Sequence, residues 1–90
     1  MLQKFTASGD LLRQARGKAG FTQSKVAEKT GMHKQFVSNY ERGLCLPPHD
    51  KMLDIMKLTK LNKKKMLETI VQDLVRESRA FYEESWKVRK

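Results

Sequence analysis

Apolar residues along the chain recur at helical steps of three and four, and glycines, prolines and capping residues cut that pattern into five stretches. In the first, Leu12, Ala15 and Ala19 line one side of a helix that Ser8 or Asp10 can cap and that Gly20 ends. Thr22 then caps a short helix, Gln23 to Lys29, which buries Val26 and Ala27, and Gly31 closes it. A third helix runs from about His33 to Arg42 and stops at Gly43. After a loop with Cys45, Pro47 and Pro48, a fourth carries Met52, Ile55 and Leu58. Asn62 caps a last stretch, 63–90, in which no glycine or proline appears and apolar residues fall at Met66, Leu67, Ile70, Val71, Leu74, Val75, Phe81, Tyr82 and Trp86. No segment alternates with period two. The predicted fold class is all-α: five helices, the last of them long.

The stretch Thr22 to Gly43 has a physical logic of its own. Two helices crossing steeply over a short turn must approach closely, so Ala27 leaves room, Gly31 makes the turn, and Val37 and Tyr40 fill the space beneath. On a wheel of about 100° per residue, Val37 and Tyr40 mark the buried side of residues 33–42. Opposite them stand Gln35, Ser38, Asn39 and Arg42, flanked by Lys34. Each of these side chains can donate a hydrogen bond, and Gln and Asn match adenine while Lys and Arg match guanine or phosphate. Glu41 falls toward the buried edge, where an isolated carboxylate is costly and a cation must stand nearby.

Charge supports a polyanionic partner without choosing one. The 90 residues hold 19 Lys plus Arg against 10 Asp plus Glu, a net charge of +9. Both parts of the chain are basic, with 11 basic and 5 acidic residues up to position 62 and 8 basic and 5 acidic after it. Nucleic acid, an anionic membrane surface and an acidic protein would all be attracted. The length suits one small domain, and a lone cysteine, Cys45, cannot pair within the chain and fits a reducing compartment. With no apolar run near the roughly 20 residues of a membrane span and no signal-peptide pattern at the N-terminus, the reading is a cytoplasmic protein.

The residues Gln23, Ala27, Gly31, Val37, Tyr40, Glu41 and Gly43, preceded by Arg16, stand at the spacing of the phage-repressor (Cro and repressor-like, XRE-type) helix-turn-helix family, which residues 10–62 resemble. The resemblance implies a double-stranded DNA partner. It implies that Arg16 pairs with Glu41 as a structural ion pair, that Lys34, Gln35, Ser38 and Asn39 face the major groove, and that the start of the second helix at Gln23 holds a phosphate. Thr22, Lys25, His33 and Arg42 join Gln23 as candidate phosphate contacts. Two positions depart from the family pattern. His33 stands where Ser or Thr usually begins the third helix, and Thr59, Lys60 and Leu61 replace an apolar residue, Gly and a second apolar residue after the fourth. Phe36 either packs on its neighbours or meets a thymine methyl or a sugar.

Bland readings compete with these. The two-helix corner could be an ordinary feature of a small α-domain, and Lys34 and Lys25 could be solvated surface charges. Cys45 and His49 have a spacing compatible with metal ligands, but two candidates do not make a tetrahedral zinc site, so neither a metal nor another cofactor is expected. No nucleophile with an orienting base, phosphate loop or paired-carboxylate motif appears, so the chain is not read as an enzyme.

The last helix would be about 40 Å long, more than a small domain can cover. Val71, Leu74, Ser78, Phe81, Ser85 and Val88 follow the alternating three and four of a coiled-coil seam, weakened by two serines. Met66, Leu67 and Ile70 are placed to close the core. A second copy is the simplest partner, making Val71, Leu74, Phe81, Tyr82 and Trp86 the candidate dimer interface. Folding back on the domain and binding a different protein are the alternatives, and acidic residues at 68, 73, 77, 83 and 84 argue against a membrane surface. The chain thus divides into an N-terminal arm (1–9), a DNA-binding domain (10–62, with the helix-turn-helix at 22–43) and a dimerisation helix (63–90). The function read is a sequence-specific transcriptional regulator, a repressor acting as a homodimer on a near-palindromic operator. The alternatives are an antitoxin that represses its own operon and grips a toxin through the last helix, and an interaction adaptor without DNA binding.

Overall fold

The computed structural model describes the backbone of residues 4–89 and side chains as far as Glu83. Five helices follow one another, α1 (Thr6–Ala19), α2 (Gln23–Thr30), α3 (Lys34–Glu41), α4 (His49–Thr59) and α5 (Lys63–Arg89), and the described residues contain no strand. Their ends have local causes. The Thr22 hydroxyl accepts from the Lys25 N–H at 3.1 Å, and Asn62 Oδ1 accepts from the Lys65 N–H at 3.1 Å, so both capping side chains satisfy free helix-start donors. Gly31 ends α2 at φ +69°, which lets the chain turn directly into α3.

Leu12, Val26, Ala27, Val37, Tyr40, Met52, Ile55, Met56 and Met66 form one buried cluster that draws a residue from every helix. Thr30 and Thr59 are buried too, and each hydroxyl donates to a carbonyl one turn back, of Val26 and Ile55 respectively. Ala19, read as part of the apolar side of the first helix, is exposed. So is Leu67: Met66 points into the core and Ile70 packs at its edge, but Leu67 lies about 100° around α5 from Met66 and is 63% exposed.

Within the stretch read as an arm, residues 6–9 belong to α1, and neither Ser8 nor Asp10 is the cap; Phe5 holds that position without a side-chain capping bond. Ser8 and Gly9 are buried because α1 starts in a crowded place. A Cβ on Gly9 would stand 2.5 Å from the Glu41 carbonyl oxygen and 2.7 Å from that of Tyr40, so only glycine lets α1 cross the end of α3 this closely. The Phe5 N–H donates to the Gly43 carbonyl at 3.0 Å and closes the same junction.

At the end of α4, where the family pattern has glycine, the chain turns through a left-handed residue. Lys60 adopts φ +58°, the one positive φ at a non-glycine residue described. Leu61 is half-buried and packs against the core. The boundary at residue 63 does not separate two bodies, since Met66 belongs to the core and α5 packs along α1. Beyond that shared stretch α5 projects, and the molecule measures 51 × 25 × 21 Å.

Candidate nucleic-acid interface

Within α3, Val37, Tyr40 and Glu41 are buried, and the helix presents its other side outward. Lys34 and Gln35 are exposed, Ser38 and Asn39 half-buried, and Arg42, directly after the helix, exposed. Gln35 Nε2 donates to Asn39 Oδ1 at 3.0 Å, which holds the two carboxamides side by side one turn apart. The only carboxylate of α3 is Glu41, and it is 7% exposed, so the outward face carries donors and cations without an acid.

Glu41 is held from two directions. Arg16 Nε donates to Oε2 at 2.5 Å and Nη2 to Oε1 at 3.0 Å, while Nη1 donates to the Phe21 carbonyl at 2.9 Å. The bonds to Glu41 raise the pKa of Arg16, burial opposes them, and the carboxylate's charge adds to the rise. Gln23 Nε2 also donates to Glu41 Oε1, at 2.9 Å. That bond changes the picture of Gln23, since part of its amide is engaged inside the fold and only the remainder can reach a phosphate. The start of α2, the end of α3 and α1 are thereby locked by one carboxylate.

The other phosphate candidates are dispersed along the rim. Thr22 is exposed with its hydroxyl used as a cap, and Lys25 Nζ lies 3.7 Å from Glu28 on the same helix, a surface pair of little strength. His33 is exposed at the N-cap of α3 and makes no side-chain cap bond. Its ring lies 6.0 Å from that of Phe36, which is 48% exposed, so Phe36 stands beside a neighbouring side chain and keeps an open side toward solvent. Lys51 escaped the sequence reading; its Nζ donates to the Thr30 carbonyl at 2.7 Å and braces the turn between α2 and α3 from α4. A lysine in a helix of mixed charge gives no local sign of such a bond.

On α5 the candidate interface residues Val71 (47%), Leu74 (45%), Phe81 (63%) and Tyr82 (69%) are exposed, with Leu67 and Val75 beside them. The Phe81 and Tyr82 rings meet edge to face at 5.2 Å. The side chain of Trp86, and those of Ser85 and Val88 in the seam, lie outside the described residues. Among the described residues no three His, Cys, Asp or Glu side chains gather as metal ligands, and no helix is long and apolar enough to cross a membrane.

The family model for a helix-turn-helix domain matches residues 8–65. Over 50 residues the chain is 42% identical to the HTH-type transcriptional regulator ImmR of Bacillus subtilis (strain 168), a match covering 56% of this chain and 39% of that protein. The chain therefore spans well under half the length of this relative. Among solved structures it is similar to the clp gene regulator ClgR from C. glutamicum, with a TM-score of 0.65 at 20% identity over 81% of this chain and 92% of that one. It is also similar to the wild-type restriction-modification controller protein C.Esp1396I, with a TM-score of 0.61 at 18% identity over 82% of this chain and 95% of that one. At such identities these two likenesses carry the fold. The match over residues 8–65, more than half of the chain, shows that the chain belongs to the helix-turn-helix domain family, and the fold shared with these two structures agrees with that.

Proposed function

We propose that this protein is a sequence-specific repressor that acts as a homodimer on a near-palindromic operator. The acid-free outward face of α3 carries the reading, because an interaction adaptor has no need of a recognition helix whose only carboxylate is buried. Lys34, Gln35, Ser38 and Asn39 read base edges in the major groove, with the hydrogen-bonded Gln35 and Asn39 as the adenine-matching centre. Thr22, Lys25, His33, Arg42 and the free part of the Gln23 amide meet phosphates and set register. Residues 10–62 bind DNA and residues 63–90 choose the partner. The protein works in the cytoplasm, where an exposed lone thiol such as Cys45 stays reduced.

The uncovered stripe Leu67, Val71, Leu74, Phe81 supports the dimer. It begins in the stretch of α5 that packs on α1 and continues into the projecting part, and a second copy of the stripe would cover it with two-fold symmetry. Two recognition helices then reach successive major grooves about 34 Å apart. Occupancy of the operator blocks polymerase.

Light scattering of the chain alone tests the dimer. A mass of two chains that falls to one when Phe81 and Tyr82 are both replaced by serine supports it; a single-chain mass for the wild type sinks it and favours the antitoxin reading, in which a toxin takes the stripe.

A further inference from the structure

Asp73 is the last buried residue of α5 among those described, and its exposure is 0%. A carboxylate so far from water is tolerated only with full hydrogen bonding. Its Oδ2 accepts from the Ser8 backbone N–H at 2.8 Å and from Ser8 Oγ at 2.7 Å; its Oδ1 accepts from the Ala7 N–H at 3.3 Å and from Arg76 Nη2. Two of these donors are first-turn amides of α1, a helix that has no acidic residue in its first turn and no side-chain cap of its own. Asp73 therefore caps α1 from 65 residues away.

That cap is one end of a rigid path. At its other end α1 is fixed to α3 by the Arg16 and Glu41 pair and by Gly9, which sits directly against the Tyr40 and Glu41 carbonyls. Outward from Asp73, Lys4 and Glu77 stand 3.4 Å apart as a solvent-exposed pair, which holds little. Leu74, Phe81 and Tyr82 of the surface assigned to the dimer lie beyond Asp73. From Asp73 to Arg89 the helix is a lever of about 24 Å, so a change of about 10° at its root moves the tip by about 4 Å. One base pair is about 3.4 Å.

We infer that Asp73 is a positioning residue: by capping α1 it fixes the direction of α5 relative to α3, and so the half-site spacing that the homodimer accepts. The spacing part rests on the dimer proposed above; the direction part does not.

Two measurements keep these apart. In the first, nitroxide labels on the native Cys45 and on Glu83→Cys report the distance from the end of α3 to α5, with unlabelled protein in excess so that only distances within one chain are read. Asp73→Ala should broaden that distance distribution by about twofold, with Asp73→Asn, which keeps one acceptor oxygen, in between. If Asp73→Ala fails to fold, Ser8→Ala removes one bond of the cap and should broaden it less. An unchanged distribution in a folded variant overturns the inference. In the second, paired half-sites selected by the wild type from random duplexes are respaced one base pair at a time. The wild type should show one sharp optimum; the variant should bind several spacings alike while its affinity for a single half-site stays within about twofold. A sharp, unshifted optimum overturns the spacing role, and a wild-type chain that is monomeric removes it together with the dimer, leaving the distance result to decide the latch.

Discussion

The guanidinium of Arg16 grips both carboxylate oxygens of Glu41 across 25 residues, joining the last turn of α1 to the last residue of α3. Both side chains are largely withdrawn from water, at 20% and 6% exposure. Removing one partner strands the other. Arg16→Met leaves Glu41 with Gln23 alone and should cost about 3 kcal/mol in urea unfolding. The double variant Arg16→Met, Glu41→Met should lose clearly less than the sum of the two single losses, because no unpaired charge is left behind.

Two glycines of α1 should respond with opposite signs. A methyl on Gly9 meets backbone carbonyl oxygens that cannot swing away, so Gly9→Ala should destabilise by about 2 kcal/mol and loosen α1 from α3. Gly17 has nothing within 4 Å of an added Cβ, and Gly17→Ala should stabilise by roughly 0.5–1 kcal/mol through helix propensity alone. Thermal unfolding of the pair checks both signs in one experiment.

Lys60 carries backbone strain that a glycine would release. At φ +58° its Cβ crowds the carbonyl, and Lys60→Gly should raise stability by about 1 kcal/mol despite the greater freedom glycine has when unfolded. A lower melting temperature would show that the lysine side chain makes up for its backbone.

Asp73 predicts an acid limb. Burial pushes its pKa up, but the bonds from Ser8 Oγ, the Ser8 N–H, Arg76 and the Ala7 N–H outweigh burial and hold it below the ordinary 3.8. A carboxyl whose pKa is lowered by folding contributes its stability in full above 3.8 and loses it as pH falls through the lowered value. The wild type should therefore exceed Asp73→Asn in stability at pH 7, with the gap closing as pH falls below 3.8 in urea titrations.

What was legible in the sequence was what is local. Thr22, Gly31, Gly43 and Asn62 mark their elements with caps and turns whose chemistry lies within a few residues, and the phase of Val37 and Tyr40 fixes which side of α3 turns outward. The rest depends on residues far apart in the chain. Ser8 and Gly9 read as arm because their partners, Asp73 and the carbonyls of Tyr40 and Glu41, are contributed by α5 and α3. Asp73 read as one more surface acid for the same reason. Leu67 was assigned to the core because a run of apolar residues on α5 is broader than the strip that α1 covers; Met66 won that place by its phase. Of the candidate site, the acid-free face needed only the helix period, whereas the bond from Gln23 to Glu41 needed the crossing of α2 and α3.

The account stands most directly on Gln35. Fluorescence anisotropy on the selected operator, on the same duplex with single base-pair changes, and on random duplex, each across a salt series, measures what Gln35→Ala and Arg42→Ala remove. Gln35→Ala should lose about 1 to 3 kcal/mol of discrimination at particular base pairs and little on random DNA, whereas Arg42→Ala should weaken every duplex alike and flatten the salt slope by about one. Equal losses on operator and random DNA from Gln35→Ala, or a wild type with no salt-dependent binding at all, would contradict it.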